Sequence, residues 1–206
     1  MNRQLKIDVN AKEIAFNRWA LSSCVHMPVA AISENAIEEY IGNIIKIIRP
    51  GSPTKALLVE VPSPPPLDTT LPIWNHARSF ILHQRMQVWV RANYNGYRGA
   101  YKRAFPSEPI DGLVLSHCTN RRHAALKGFE YVRIVPASRS VNSSCAFSQN
   151  WGIETYSKPS ELASFKKREI HIQYTDLVDL MAMLDMPPKG GFVDAVNEAQ
   201  WLVTPA

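Results

Sequence analysis

The sequence predicts an α+β protein, because strand-type and helix-type runs alternate along its 206 residues with no repeat and no low-complexity tract. Three observations carry that expectation. Ala56–Val61, Met86–Tyr94, Leu113–Ser116 and Tyr131–Val135 are apolar or alternating runs of strand length. Residues 35–48 and 176–186 instead place their apolar side chains at helical spacing. Breakers separate the runs at Arg49-Pro-Gly51, Pro62–Pro72, Asn95-Gly96 and Pro187-Pro-Lys-Gly-Gly191.

In chain order, residues 10–22 read as a short amphipathic helix anchored by Ile14, Phe16, Trp19 and Leu21. A helix follows over 35–48, with Asn35 as cap, Glu38 at the third helical position, and Ile37, Tyr40, Ile41, Ile44, Ile45 and Ile48 on its apolar face. Ala56–Val61 is a strand. The prolines from Pro62 to Pro72 cannot continue a ladder, so 62–73 reads as a linker. Residues 74–86 are compatible with a helix. Met86–Tyr94 and Tyr97–Phe105, joined by Asn95-Gly96, read as a β-hairpin, since Asn-Gly suits a two-residue turn. A loop over 106–112 leads into the strand Leu113–Ser116, which delivers His117. Past Asn142 the basic character is lost, and 151–169 is polar and irregular. A short strand at 170–174, a helix over 176–186 capped by Thr175, and a terminal helix around 192–200 complete the reading. This divides the chain into an N-terminal helical region with a short strand (1–61), a Pro-rich linker (62–73), a central module (74–150) and a C-terminal extension with a helix (151–206).

No run approaches the roughly 20 apolar residues of a membrane span. The N-terminal MNRQLKIDVNAKE lacks an apolar signal core, so an intracellular, unsecreted, soluble protein is expected. Three cysteines are too few for a disulfide scaffold. The formal charge is +5 and the pI about 9.2. Between Asn75 and Arg139 stand eleven Lys and Arg against three acids, a balance of +8 that leaves −3 for the rest. Positive charge gathered in one segment is the footprint of a polyphosphate partner; its plain alternative is a solvated basic face.

Inside that segment, His117 ends an apolar strand. Asn142 follows 25 residues later, beyond the apolar run Tyr131–Val135. Phosphodiester hydrolysis needs a base for water, which a neutral imidazole supplies, and a divalent cation at the phosphate, which an amide oxygen helps to hold. His117 and Asn142 suit those two tasks. Their plain alternatives are a core histidine and a helix-start or turn asparagine.

The strings YRGAYKRAF, PSEPIDGLVLSHCTNRR and EYVRIVPASRSVNSSC resemble, in that order, the ββα-metal or His-Me finger nucleases, and most of all their HNH and His-Cys box homing-endonuclease branches. The resemblance spans roughly residues 88–147. It implies a central ββα-metal module, preceded by the β-hairpin and flanked by helical N- and C-terminal regions. It also implies metal-dependent cleavage of double-stranded DNA, with His117 as general base, Asn142 as ligand of Mg²⁺ or another divalent cation, and Arg98 on the scissile phosphate. Arg98 precedes Tyr101-Lys102-Arg103 by three positions, as the active-site arginine does in the His-Cys box branch. Ser116 stands where many HNH proteins carry a second, aspartate ligand. Cys118, His123 and Cys145 are the residues available for structural zinc, one short of the usual four ligands. DNA contacts are expected from Arg91, Tyr94, Tyr97, Lys102 and Arg103 on the hairpin and from Arg121 and Arg122 after His117. A homodimer would allow both strands to be cut, with the apolar side of helix 175–186 as candidate interface. The alternatives are an inactive module of the same fold that binds DNA or RNA, and a structural subunit of a nucleoprotein assembly.

Overall fold

The computed structural model describes residues 27–62, 78–82, 84–145, 170–175 and 177–185. The expected helices at 10–22 and 192–200, the irregular stretch 151–169 and nearly all of the linker lie outside them. The described elements are strands and helices in one mixed α+β arrangement. They are β1 (Pro28–Ala31), α1 (Glu34–Tyr40), β2 (Asn43–Arg49), β3 (Ala56–Glu60), β4 (Met86–Arg91), α2 (Tyr97–Ala104), β5 (Val114–His117), α3 (Arg121–Lys127), β6 (Tyr131–Ala137), β7 (Ile172–Tyr174) and α4 (Leu177–Leu184). A 3₁₀ turn lies at Ser79–Ile81, and residues 139–145 are helical.

All seven strands join one antiparallel sheet, in the order β2-β3-β4-β6-β1-β7, with β5 also on β6. Strands from both sides of the 62–73 stretch share this sheet. β6 is its organising strand, and all seven of its residues are buried. Along one edge β4 pairs with residues 131–134. The opposite edge is divided. β1 takes Tyr131 and Val132, and β5 takes Ile134 to Ala137, with His117 level with Ile134. His117 therefore stands where one neighbouring strand hands over to the other.

Alternation of side chains sorts the helices onto the two faces. Leu57, Val59, Trp89 and Tyr131 point to one face, where Ile37 of α1 packs on them. Leu58, Val88, Val90, Ile134 and Leu115 point to the other, under Ala100 and Tyr101 of α2. Val132 shares that second face and meets Ala124 of α3 and Phe129. Burying each such side chain contributes roughly 1.5–3 kcal/mol.

Three sequence expectations are corrected here. The helix over 35–48 is a seven-residue helix and then a strand. Ser33, rather than Asn35, caps it by accepting from the Ala36 N–H at 3.1 Å. At Gly42 the chain passes so close to β3 that a Cβ would meet the Glu60 carbonyl at 2.2 Å. The isoleucines beyond it fit both periods, but β-branching favours the strand. Two register shifts in the β2–β3 ladder break the simple alternation that would have shown this.

The hairpin over 88–105 is a strand followed by a helix. Both edges of β4 are occupied, by β3 and by β6, so a returning strand has nothing to pair with. Tyr97–Ala104 coils instead, burying Ala100 and Tyr101 and setting Lys102 and Arg103 in its last turn, where they complement the helix dipole. Between His117 and β6, where the sequence reading places no element, the chain forms α3. Its signals were local: Asn120 accepts from the N–H groups of Arg122 and His123, and Gly128 ends the helix at φ 88°.

The C-terminal expectations hold in outline, as β7 and α4 fall within them. Thr175 spends its hydroxyl on the Met27 carbonyl at 2.7 Å. Of the apolar side of α4 offered above as an interface, Leu184 is buried inside the chain, as are its neighbours Ala182 and Met183. Among the described residues no helix is long and apolar enough to cross a membrane.

Candidate functional site

His117 projects from the last position of β5 on the face covered by α2 and α3, since it lies opposite Ile134. From α2, the Tyr97 ring meets the imidazole edge-on, with centroids 4.7 Å apart and planes at 72°. From the first position of α3, the Arg121 guanidinium lies over the same tyrosine ring, 5.9 Å from its centre. Arg121 Nη1 also donates to Asn95 Oδ1 at 3.0 Å, in the turn before α2. Strand end, turn and two helix starts thus converge on one stack, Arg121 on Tyr97 on His117.

Within this stack the imidazole is desolvated. Among the described residues His117 Nε2 is buried without a hydrogen-bond partner, as is the hydroxyl of Thr119 two residues on. An unmet buried polar group costs about 1–3 kcal/mol, so the fold tolerates these two against its own stability. Burial, and then the positive charge of Arg121, push the His117 pKa down to about 3. At neutral pH the imidazole carries no proton charge.

The other expected site residues are placed as follows. Arg98 donates from Nη1 to the Leu113 carbonyl at 2.9 Å and from Nη2 to the Ile110 carbonyl at 3.3 Å. Its guanidinium therefore clamps the start of β5. Four residues of strand, roughly 13 Å, separate Leu113 from His117. Asn142 lies in the first turn of the helical segment, its N–H bonded to the Ser138 carbonyl. That segment begins past Ala137, which pairs with Val114 at the end of β5 away from His117. Neither Arg98 nor Asn142 is among the groups that touch His117.

Tyr94 packs against the α2 core cluster, and Arg91 pairs with Glu130 at 3.5 Å. The basic balance read from the sequence also thins. Arg133 is buried on the opposite face and donates to the Ile81 carbonyl at 2.7 Å. Arg78 pairs with Asp185 at 3.6 Å and Arg85 with Glu60 at 2.9 Å. Lys102 and Arg103 on α2, and Arg122 on α3, remain exposed on the His117 side of the sheet.

Cys118 and Cys145 are buried free thiols. Burial pushes the Cys118 pKa up to about 12, so the metal-free thiol stays protonated at neutral pH. His123 sits partly buried in the first turn of α3. Among the described residues no three His, Cys, Asp or Glu side chains are grouped to hold a metal ion. Asn95 and Thr119 were not singled out in the sequence. Asn95 read only as a turn residue, and nothing local marks Thr119 as buried and unpaired. Compared with known proteins, the chain matches no family model, no curated protein and no solved structure.

Proposed function

We propose that this chain is a phosphodiester hydrolase acting on double-stranded DNA, with His117 as its general base. The observation that carries the reading is His117 itself, a neutral imidazole at a strand end with Nε2 buried and unpartnered and an arginine one ring away. A base must hold no proton before it takes one from water, and desolvation secures that state. The backbone order supports the same reading. β5 ends in His117, β6 pairs back on it, and a helical segment bearing Asn142 follows, as in the ββα-metal nucleases the sequence resembles.

Arg121 supplies positive charge where a phosphate would lie beside His117, and Lys102, Arg103 and Arg122 extend it along the two helices. Tyr97 fixes the imidazole edge and keeps water from its ring. Arg98 acts indirectly, by holding the loop from which β5 starts. By the resemblance, Asn142 is the residue that would hold a divalent cation, although its helical segment starts at the end of β5 away from His117. Its amide oxygen is a hard donor with no carboxylate beside it in sequence, a set that suits hydrated Mg²⁺ sharing its shell with phosphate oxygens. Such an ion, when bound, offsets charge at the leaving oxygen.

A second reading, a nucleic-acid-binding module without hydrolysis, is favoured by the low proton affinity of His117. Incubation of supercoiled plasmid with the protein, with Mg²⁺ and with EDTA, separates the two. Nicking or linearisation that needs Mg²⁺ and is lost in His117→Ala and Asn142→Ala supports the hydrolase. Plasmid retardation without cleavage selects the binding module, and neither effect overturns both.

A further inference from the structure

We propose that Arg121 is a phosphate-docking residue and that the oxyanion it captures activates His117. The inference deepens the proposed function and rests on it for the use to which the base is put. Arg78, Arg85 and Arg91 each pair with a carboxylate. Among the described residues Arg121 has none, and it contacts the neutral Tyr97 ring and the neutral Asn95 amide. One of its five N–H donors is committed there, and the planar fork that binds phosphate oxygens in pairs is otherwise unspent.

The Tyr97 ring touches both partners, the imidazole at 4.7 Å and the Arg121 guanidinium at 5.9 Å from its centre, so an anion on Arg121 is within electrostatic reach of the imidazole. His117 faces Tyr97 from α2, Arg121 from α3 and the apolar Ile134 across the ladder. Its strand neighbours Ser116 and Cys118 alternate to the other face. Among the described residues Arg121 is the charge that acts on this imidazole, and it opposes protonation. A phosphodiester bound there brings the negative charge that the site otherwise lacks. The base is silent in the free protein and becomes proton-accepting when its substrate class arrives, so a proton is drawn from water only beside a seated phosphate.

The test follows the His117 Cε1–H resonance by NMR against pH in the whole chain, alone, with inorganic phosphate, and with a short DNA duplex. The wild type should titrate near the acid limit alone, and about one pH unit or more higher with at least one of the probes. The probe effective at the lower concentration identifies free phosphate or polynucleotide as the source of the anion. Arg121→Gln should raise the midpoint in the free protein and abolish the response to both probes. Arg121→Lys keeps the charge and should retain a weaker response, which guards against a variant that merely misfolds. No shift with either probe in the wild type, or an undiminished shift in Arg121→Gln, overturns the proposal. A clean Arg121-dependent shift in a protein that never cleaves DNA would instead sink the hydrolase and leave the docking residue standing.

Discussion

Replacing His117 with phenylalanine should remove a specific part of the acid sensitivity of this fold. An unfolded histidine titrates near 6.5, whereas the folded one is held down at about 3 by burial and by Arg121. Between those values the unfolded chain binds a proton at residue 117 and the folded chain does not. Stability is therefore complete above the unfolded value and declines as the pH falls toward 3. Each unit is worth 1.36 kcal/mol, so going from neutral pH to pH 4.5 costs about 2–3 kcal/mol through this residue alone. Phenylalanine keeps a ring for Tyr97 and discards the unpartnered Nε2, so the variant should match or exceed the wild type at pH 7.5. Urea unfolding of both proteins at pH 7.5 and pH 4.5 measures the effect, with carboxylates contributing equally to each. The wild type should lose about 2–3 kcal/mol more than His117→Phe. Equal losses would mean that the folded imidazole is readily protonated, and the argument for a neutral base would fail.

His117→Ala should slow plasmid cleavage by roughly 10²–10⁴-fold with little change in DNA affinity, and a parallel loss of binding would make the residue a scaffold. Lys102→Ala and Arg103→Ala should each make the slope of log K against log salt shallower by about 1, and unchanged slopes would move the DNA surface off α2. Arg98→Ala should lower stability by about 1 kcal/mol, by freeing two loop carbonyls. A cleavage defect at full stability would return Arg98 to the phosphate. Tyr131→Phe should cost about 1–3 kcal/mol in urea unfolding, because its buried hydroxyl has one proton to give and two acceptors for it, Glu34 Oε1 at 2.7 Å and the Thr54 carbonyl at 2.6 Å.

How far the sequence could be read depended on whether a signal was local. β3, β4, β5 and β6 were visible because each is a short run rich in apolar and β-branched residues. The isoleucines of β2 satisfied two periods at once, and only the pairing with β3 decides between them. Tyr97–Ala104 looked like a returning strand until both edges of β4 were seen to be filled, which is a property of the sheet and not of the segment. α3 could have been found from Asn120 and Gly128, yet no element was assigned between His117 and Tyr131. At the site, His117, Tyr97 and Arg121 were all singled out, whereas their stacking was not, since it needs α2 to be a helix. Arg98 was given a phosphate because of its place in a motif, while the carbonyls it holds lie 12 and 15 residues away.

The divided edge of β6 also orders events in time. Ala31 waits for Tyr131, a hundred residues later, and Pro28 for Tyr174. His117, by contrast, finds Ile134 after a short excursion through α3. As the chain leaves the ribosome, β1 must wait about a hundred residues for β6, while the β5–β6 ladder closes over a far shorter span. Long closures of this kind slow folding. The ladder that carries His117 thus closes before β1 is placed, and β7, which pairs on β1, follows both.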